Sequence, residues 1–125
     1  MQKSGWPSIL VLSLALFSCN QSPRSIDGMD QEAWKNDKNA CGGHRSQMIE
    51  DILKQKDKLL ALTELEIVDM FGKPDEQELF KRNQKFYYYY IEPSRECDQP
   101  VSDHPMKLVF RFNAMGLAKE ITTEE

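Results

Sequence analysis

The hydrophobic period of this chain changes at Asp75, and that change restricts the fold more than any other feature. Before Asp75, apolar residues recur every three or four positions, which indicates helices. After Asp75 they alternate with polar residues over short segments, which indicates strands. Helices followed by consecutive strands predict an α+β protein, in which the helices cover one face of an antiparallel sheet and leave the other face accessible.

Two helices are predicted before the change of period. Residues 45–62 carry apolar side chains on one helical face and charged side chains on the other. Residues 63–66 form a capping box at the start of a shorter helix, which Gly72 ends and Pro74 prevents from resuming. Further upstream, we expect Trp34 to dock a short helical turn on the core.

Three strands are predicted after the change of period, at 77–82, 85–92 and 106–113. The connection between the first two strands is tight, so they should form a hairpin. Residues 117–122 are a candidate for a short terminal strand. The predicted fold is therefore α+β, with two helices packed on one face of a three-stranded antiparallel β-meander.

Four consecutive tyrosines lie in the second predicted strand, within the stretch KFYYYYIEPS at 85–94. Side chains alternate between the two faces of a strand. One row therefore consists of Phe86, Tyr88 and Tyr90, and the other of Tyr87, Tyr89 and Ile91. We predict that the first row packs beneath the helices, because the ring of Phe86 has no polar group.

The second row would then stand on the open face of the sheet. Tyr87 and Tyr89 are predicted to lie there beside Val109 and Arg111 of the third strand. Tyr and Arg are favoured anchors at protein interfaces, so these four residues are candidates for binding a partner protein. Cross-strand packing without any partner is the alternative interpretation of the same residues.

The first 18 residues have the features of a secretory signal peptide. Lys3 provides a positively charged start. The apolar run at 9–17 is too short to span a bilayer, which takes about 20 residues. We therefore exclude residues 1–18 from the folded domain.

The stretch LFSC at 16–19 resembles the lipobox of bacterial lipoproteins, in which the signal is cut before an acylated Cys. The resemblance implies lipidation of Cys19, a tether over 19–28 and a folded domain over 29–125. Several acyl chains hold a protein on a membrane almost irreversibly. Asn20 favours the outer membrane, with the domain facing the periplasm of a Gram-negative bacterium.

With Cys19 lipidated, Cys41 and Cys97 are the two remaining cysteines. In an oxidising periplasm a disulfide between them is the simplest interpretation. It would stabilise the fold by about 4 kcal/mol in the chain-entropy model. Two alternatives stay open: a zinc site in which His44 and His104 join the two thiolates, and a catalytic pair of Cys41 and His44.

Charge and composition argue against several functions. The formal net charge is −4, which is unfavourable for binding nucleic acid. The chain has only two His, and its sequence contains no Ser/His/Asp arrangement and no paired carboxylates with a pocket signature. We therefore predict no catalytic residues, no metal, no cofactor and no small-molecule substrate.

Four stretches of the chain, in this order, resemble the SmpA/OmlA (BamE-like) lipoprotein domain over roughly 62–122. They are the start of the short helix at 62–66, its stop at 71–75, the aromatic strand at 86–90, and the strand at 108–113 before Gly116. The resemblance implies a non-enzymatic, periplasm-facing lipoprotein that acts as a protein-interaction or accessory module in outer-membrane or envelope assembly. Its expected partners are an envelope protein and, through the N-terminal lipid, the membrane.

The same layout also resembles the repeats of β-lactamase-inhibitor-like proteins, which bind other proteins through an exposed sheet. This second resemblance implies an inhibitor or a ligand-binding module instead. A shared fold does not by itself decide between the two functions.

Overall fold

Three α-helices precede four β-strands in the computed structural model, which describes Gly5 and residues 24–100 and 102–125. The helices are α1 Gln31–Asn36, α2 Arg45–Lys54 and α3 Glu64–Phe71. The strands are β1 Glu76–Phe80, β2 Gln84–Tyr90, β3 Lys107–Phe112 and β4 Ala118–Glu124. The predicted lipidation site at Cys19 lies outside the described residues. Within the described ranges, no helix has both the length and the apolar character needed to cross a bilayer.

The four strands form one antiparallel sheet in the order β1-β2-β3-β4. The predicted α+β class is confirmed, whereas the predicted count of two helices and three strands was too low. Trp34 anchors a complete helix, α1, and the candidate terminal strand pairs with β3 as β4. A register shift opposite Arg111 and Phe112 lets both Ala118 and Ile121 reach the core, although they are three positions apart.

Helix α2 is shorter than the predicted helix over 45–62. It ends at Lys54, and a single 3₁₀ turn at Lys56–Leu59 follows. Residues 54–58 are five polar residues in succession, so a longer helix would bury nothing there. Short helices depend on tertiary packing for their stability. The 3₁₀ turn then delivers Leu59 to the core.

The predicted capping box at the start of α3 is confirmed. The Thr63 hydroxyl accepts a hydrogen bond from the Glu66 backbone N–H at 3.2 Å, and the Glu66 carboxylate accepts one from the Thr63 N–H at 3.3 Å. Gly72 ends the helix with a φ of 79°, which only glycine adopts at low cost. This geometry turns the chain directly from α3 toward β1.

The helices pack on one face of the sheet, around a cluster of aromatic rings. The ring of Phe71 lies 5.5 Å from that of Trp34 and 5.0 Å from that of Phe110. The largest fully buried apolar side chains are Trp34, Ile52, Leu59, Ile67, Phe71, Tyr89, Leu108, Phe110 and Phe112. Every helix and the three strands β2 to β4 contribute to this core.

The predicted orientation of β2 was wrong. Tyr87 and Tyr89 lie beneath the helices, with 9% and 0% of their surface exposed. Ile91 belongs to the same row and is also buried, and it has no polar group that could be left in water. The register places Tyr87 opposite Phe110 and Tyr89 opposite Leu108, so the aromatic row must share the core face of β3. The second row of β2 therefore faces away from the helices.

Candidate functional site

The face of the sheet that the helices leave uncovered is the candidate site, and we call it the open face. Cross-strand register assigns its members, because residues directly opposite each other in an antiparallel pair share a face. They are Glu76, Glu78 and Phe80 of β1, Gln84, Phe86, Tyr88 and Tyr90 of β2, Lys107, Val109 and Arg111 of β3, and Glu120, Thr122 and Glu124 of β4.

A row of aromatic rings crosses the middle of the open face. The Phe86 ring is nearly parallel to that of Tyr88, at 6.3 Å between centroids, and meets the edge of the Phe80 ring at 5.8 Å. The Lys107 ammonium lies 4.5 Å above the centroid of the Tyr88 ring, within the range of a cation–π contact. Phe80, at the edge of the sheet, is 58% exposed. Together these rings give the open face an apolar centre that ends at the exposed Phe80.

Glutamates flank the aromatic row on both sides of the sheet. On the β1 side, Glu76 accepts a hydrogen bond from the Tyr90 hydroxyl at 2.6 Å, and Glu78 accepts one from the Tyr88 hydroxyl at 3.0 Å. Burial, the hydrogen bond and the charge of Glu78 together raise the pKa of Tyr88 to about 12. The same three causes, with Glu76 as the acceptor, raise the pKa of Tyr90 to about 12. Both phenols thus stay neutral near pH 7.

The glutamates on the β4 side are paired with cations. Lys107 lies 3.8 Å from Glu124, and Arg111 lies 3.3 Å from Glu120. Neither carboxylate on the β1 side forms an ion pair with any cation of the described ranges. The uncompensated negative charge of the open face is therefore concentrated along β1.

The structure brings together only part of the predicted partner-binding set. Val109 and Arg111 lie on the open face, as predicted, although Val109 is covered by its neighbours. Tyr87 and Tyr89 lie on the opposite face, in the core. Sequence reasoning missed the glutamates of β1, because Gln77 and Phe80 interrupt the alternation of polar and apolar residues in this strand.

A polar cleft of about 300 Å³ lies at one end of the open face. The connection between β2 and β3 forms its outer wall. Glu76, Tyr90 and Lys107 belong to both the cleft and the open face. The remaining lining residues carry charges of both signs, namely Arg95, Glu96, Asp103 and Glu125, with Ser94, His104 and Pro105.

A disulfide between Cys41 and Cys97 holds that connection in place, as predicted. The Ser94 N–H also donates to the Asn39 carbonyl at 3.0 Å, so the segment is attached twice to the region before α2. Because both sulfur atoms are bonded to each other, neither thiolate is free for the alternative zinc site or for a catalytic pair with His44. Within the described ranges, no group of three or more His, Cys, Asp or Glu side chains is arranged to hold a metal ion.

A buried ion pair sets the position of β1 and β2 relative to the helices. The Arg45 guanidinium lies 2.5 Å from an Asp75 carboxylate oxygen, and both side chains are almost fully buried. That oxygen also accepts from the Tyr90 N–H at 2.9 Å, and the other accepts from the Asn39 N–H at 3.0 Å. The Arg45 Nε donates to the Trp34 carbonyl at 3.0 Å. Sequence reasoning missed this pair, because its members lie 30 positions apart.

The fold and the site together define an α+β protein with one helix-covered sheet face and one open face. Comparisons with models of known protein families, with curated proteins and with solved structures found no match. The resemblance to the SmpA/OmlA domain therefore rests on the sequence motifs alone.

Proposed function

We propose that this chain is a non-enzymatic lipoprotein of the outer membrane, anchored through Cys19 and facing the periplasm, whose open face binds a partner protein in envelope assembly. The observation that carries the proposal is the aromatic row of the open face. It ends in the exposed ring of Phe80 and lies on the sheet face opposite the helices. Aromatic residues and Arg are enriched at protein interfaces.

The chemistry of the open face supports binding rather than catalysis. General acid–base catalysis works best with groups whose pKa lies near the operating pH. The Tyr88 and Tyr90 phenols, with a pKa of about 12 each, are far from that range. Glu76 and Glu78 already accept hydrogen bonds from these phenols, which holds the carboxylates in place.

The start of the described domain is compatible with an N-terminal anchor. Arg24 pairs with Glu66 of α3 at 2.8 Å, and Ile26 is buried in the core. The chain thus enters the domain on the helical side of the sheet.

Site-specific photo-crosslinking in intact cells tests the proposal. A photoreactive amino acid replaces Thr122, which is exposed on the open face, or Leu65 of α3, which is 77% exposed on the helical side. We expect the Thr122 position to crosslink one identified protein of the envelope, and the Leu65 position not to crosslink it. Equal crosslinking from both positions would contradict a role of the open face. A soluble periplasmic enzyme as the crosslinked protein would favour the inhibitor function instead.

The membrane anchor is tested separately by the intact mass of the natively purified protein. Acylation adds the mass of the lipid to a chain that begins at Cys19, and a Cys19→Ala variant should be released from the membrane fraction. An unacylated wild-type chain would contradict the lipoprotein proposal, whatever the crosslinking shows.

A further inference from the structure

We propose that the partner presents Arg or Lys side chains, which the open face binds along β1 between its aromatic rings and the carboxylates of Glu76 and Glu78. This inference rests on the proposed function, because it names the chemistry of the protein that the same face binds. The partner is a basic protein surface rather than a membrane or a nucleic acid.

Negative charge is unevenly distributed over the open face. Lys107 and Arg111 pair with the glutamates of β4, whereas those of β1 form no ion pair within the part of the chain that the structure describes. Tyr88 and Tyr90 donate hydrogen bonds to the β1 carboxylates without removing their charge. Two negative charges therefore lie beside the aromatic row, and neither forms an ion pair with a Lys or Arg of the described ranges, although Arg95 and Lys107 line the cleft that Glu76 also lines.

The aromatic rings of the open face are placed so that they can contact a cation. Lys107 above Tyr88 shows that a cation and an aromatic ring of this face already make a cation–π contact. Glu78 is directly opposite Phe86 in the register, and its carboxylate accepts a hydrogen bond from the hydroxyl of Tyr88, whose ring stacks on that of Phe86. A cation placed over Phe86 would contact both an aromatic face and a carboxylate, a combination that favours Arg.

The carboxylates of Glu76 and Glu78 are held in position before a partner binds. Charged partners in an interface gain affinity when their groups need no reordering on binding. The Tyr88 and Tyr90 hydroxyls hold Glu78 and Glu76 on the open face before any partner arrives. The phenols keep their protons at physiological pH because their pKa is about 12, so each remains a hydrogen-bond donor.

The same charges disfavour two other occupants. Phosphates of nucleic acid and anionic lipid headgroups are attracted by clustered Lys and Arg. Along β1 the open face presents glutamates instead, and the basic residues Arg95 and Lys107 line the cleft at its end together with Glu76. A basic protein surface is the occupant whose charge complements this face.

Binding of a defined probe to the full-length chain in neutral detergent tests the inference. The probe is a fluorescent 12-residue peptide of alternating Arg and Val, and the charge control is the corresponding Glu and Val peptide. The variant E76Q/E78Q keeps an oxygen that accepts from each tyrosine but removes both charges. The matched variant D57N/D69N removes two charges from exposed positions on the helical side.

We expect the Arg peptide to bind the wild-type chain, with an affinity that falls as salt is added, and the Glu peptide not to bind. E76Q/E78Q should weaken binding about tenfold, as expected for the loss of two charged contacts, and D57N/D69N should leave it unchanged. Equal losses in the two variants, or an absence of binding by the Arg peptide, would overturn the inference.

Crosslinking from Thr122 in cells separates this inference from the proposed function. If E76Q/E78Q lowers the crosslinking yield and D57N/D69N does not, the result supports both the basic partner and the proposed function. An unchanged yield in E76Q/E78Q would overturn the basic partner while the open face remains the binding site. If the wild-type chain gives no specific crosslink at Thr122, the proposed function itself fails.

Discussion

Arg45 lies between the rings of Trp34 and Tyr89, at 5.0 and 5.9 Å from their centroids. Its guanidinium is bonded to the Asp75 carboxylate and to the carbonyls of Trp34 and Tyr90. These contacts join α1, α2 and the residue before β1 at one buried point. At the scale of single residues, this ion pair holds the strands of the open face against the helices.

Removal of one member of this pair should destabilise the fold strongly. In an Asp75→Ala variant the Arg45 charge stays buried without its partner, and loss of one member of a buried pair typically costs about 3–5 kcal/mol. Urea unfolding followed by circular dichroism measures the free energy of unfolding. As a control, Glu50→Ala removes the exposed ion pair with Lys54 and should change the free energy of unfolding little. Equal effects of the two substitutions would contradict a structural role for the buried pair.

Among the elements, β2 buries aromatic rings on both of its faces. This is possible because each tyrosine hydroxyl finds an acceptor close to the rim of the sheet. Tyr87 donates to Glu64 of α3, and Tyr89 donates to the Gly72 carbonyl at the end of that helix. The rings of Tyr88 and Tyr90 lie on the open face and donate to β1. An apolar body with a polar end lets one strand serve the core and a contact surface together.

Alkaline pH should lower the stability of the folded chain, because the tyrosines of β2 lose their protons. Burial and hydrogen bonds to glutamates raise the pKa of Tyr87, Tyr88 and Tyr90 to about 12 from the ordinary value of 10.0. Between these values the folded chain keeps protons that the unfolded chain releases, so stability is complete below pH 10 and falls as the pH rises toward 12.

Spectrophotometric titration checks this prediction. Tyrosinate absorbance of the native chain should rise at a higher pH than that of the chain unfolded in urea. A Tyr90→Phe variant removes one titrating group and should reduce the native amplitude without removing the delay of the others. Coincident titration curves for the native and unfolded chains would show that folding does not raise the pKa of the tyrosines, which would contradict the prediction.

At the scale of the whole molecule, the disulfide connects the helical half to the strand half. Cys41 lies before α2 and Cys97 lies between β2 and β3, 56 positions apart. Small domains bury a limited core, so a covalent link contributes a large share of their stability. The link also holds the wall of the cleft at the end of the open face.

Loss of the disulfide should lower the free energy of unfolding by about 4 kcal/mol, because the unfolded chain regains the entropy of a long open loop. A C41S/C97S variant and the reduced wild-type chain should give the same decrease in urea unfolding. The oxidised wild type is the reference. A variant as stable as the oxidised wild type would show that the two halves hold together without the link.

The sequence predicted the elements whose signals are local. The capping box at 63–66, the stop at Gly72 and the alternation after Asp75 each depend on neighbours along the chain, and the structure contains all three. The disulfide between Cys41 and Cys97 was predicted on the expectation that Cys19 carries a lipid, and the structure contains it. The extent of α2 was overestimated, because periodicity alone does not show where burial stops.

By itself, the sequence determined the α+β class and the start of α3, since these follow from hydrophobic period and capping chemistry. The tertiary structure alone decided which row of the tyrosine strand is exposed and that Arg45 meets Asp75. Both rows of β2 are aromatic, so period-two alternation could not distinguish them. Pairing with β3 and the acceptors offered by α3 resolved the choice, because they satisfy the hydroxyls of Tyr87 and Tyr89 inside the core.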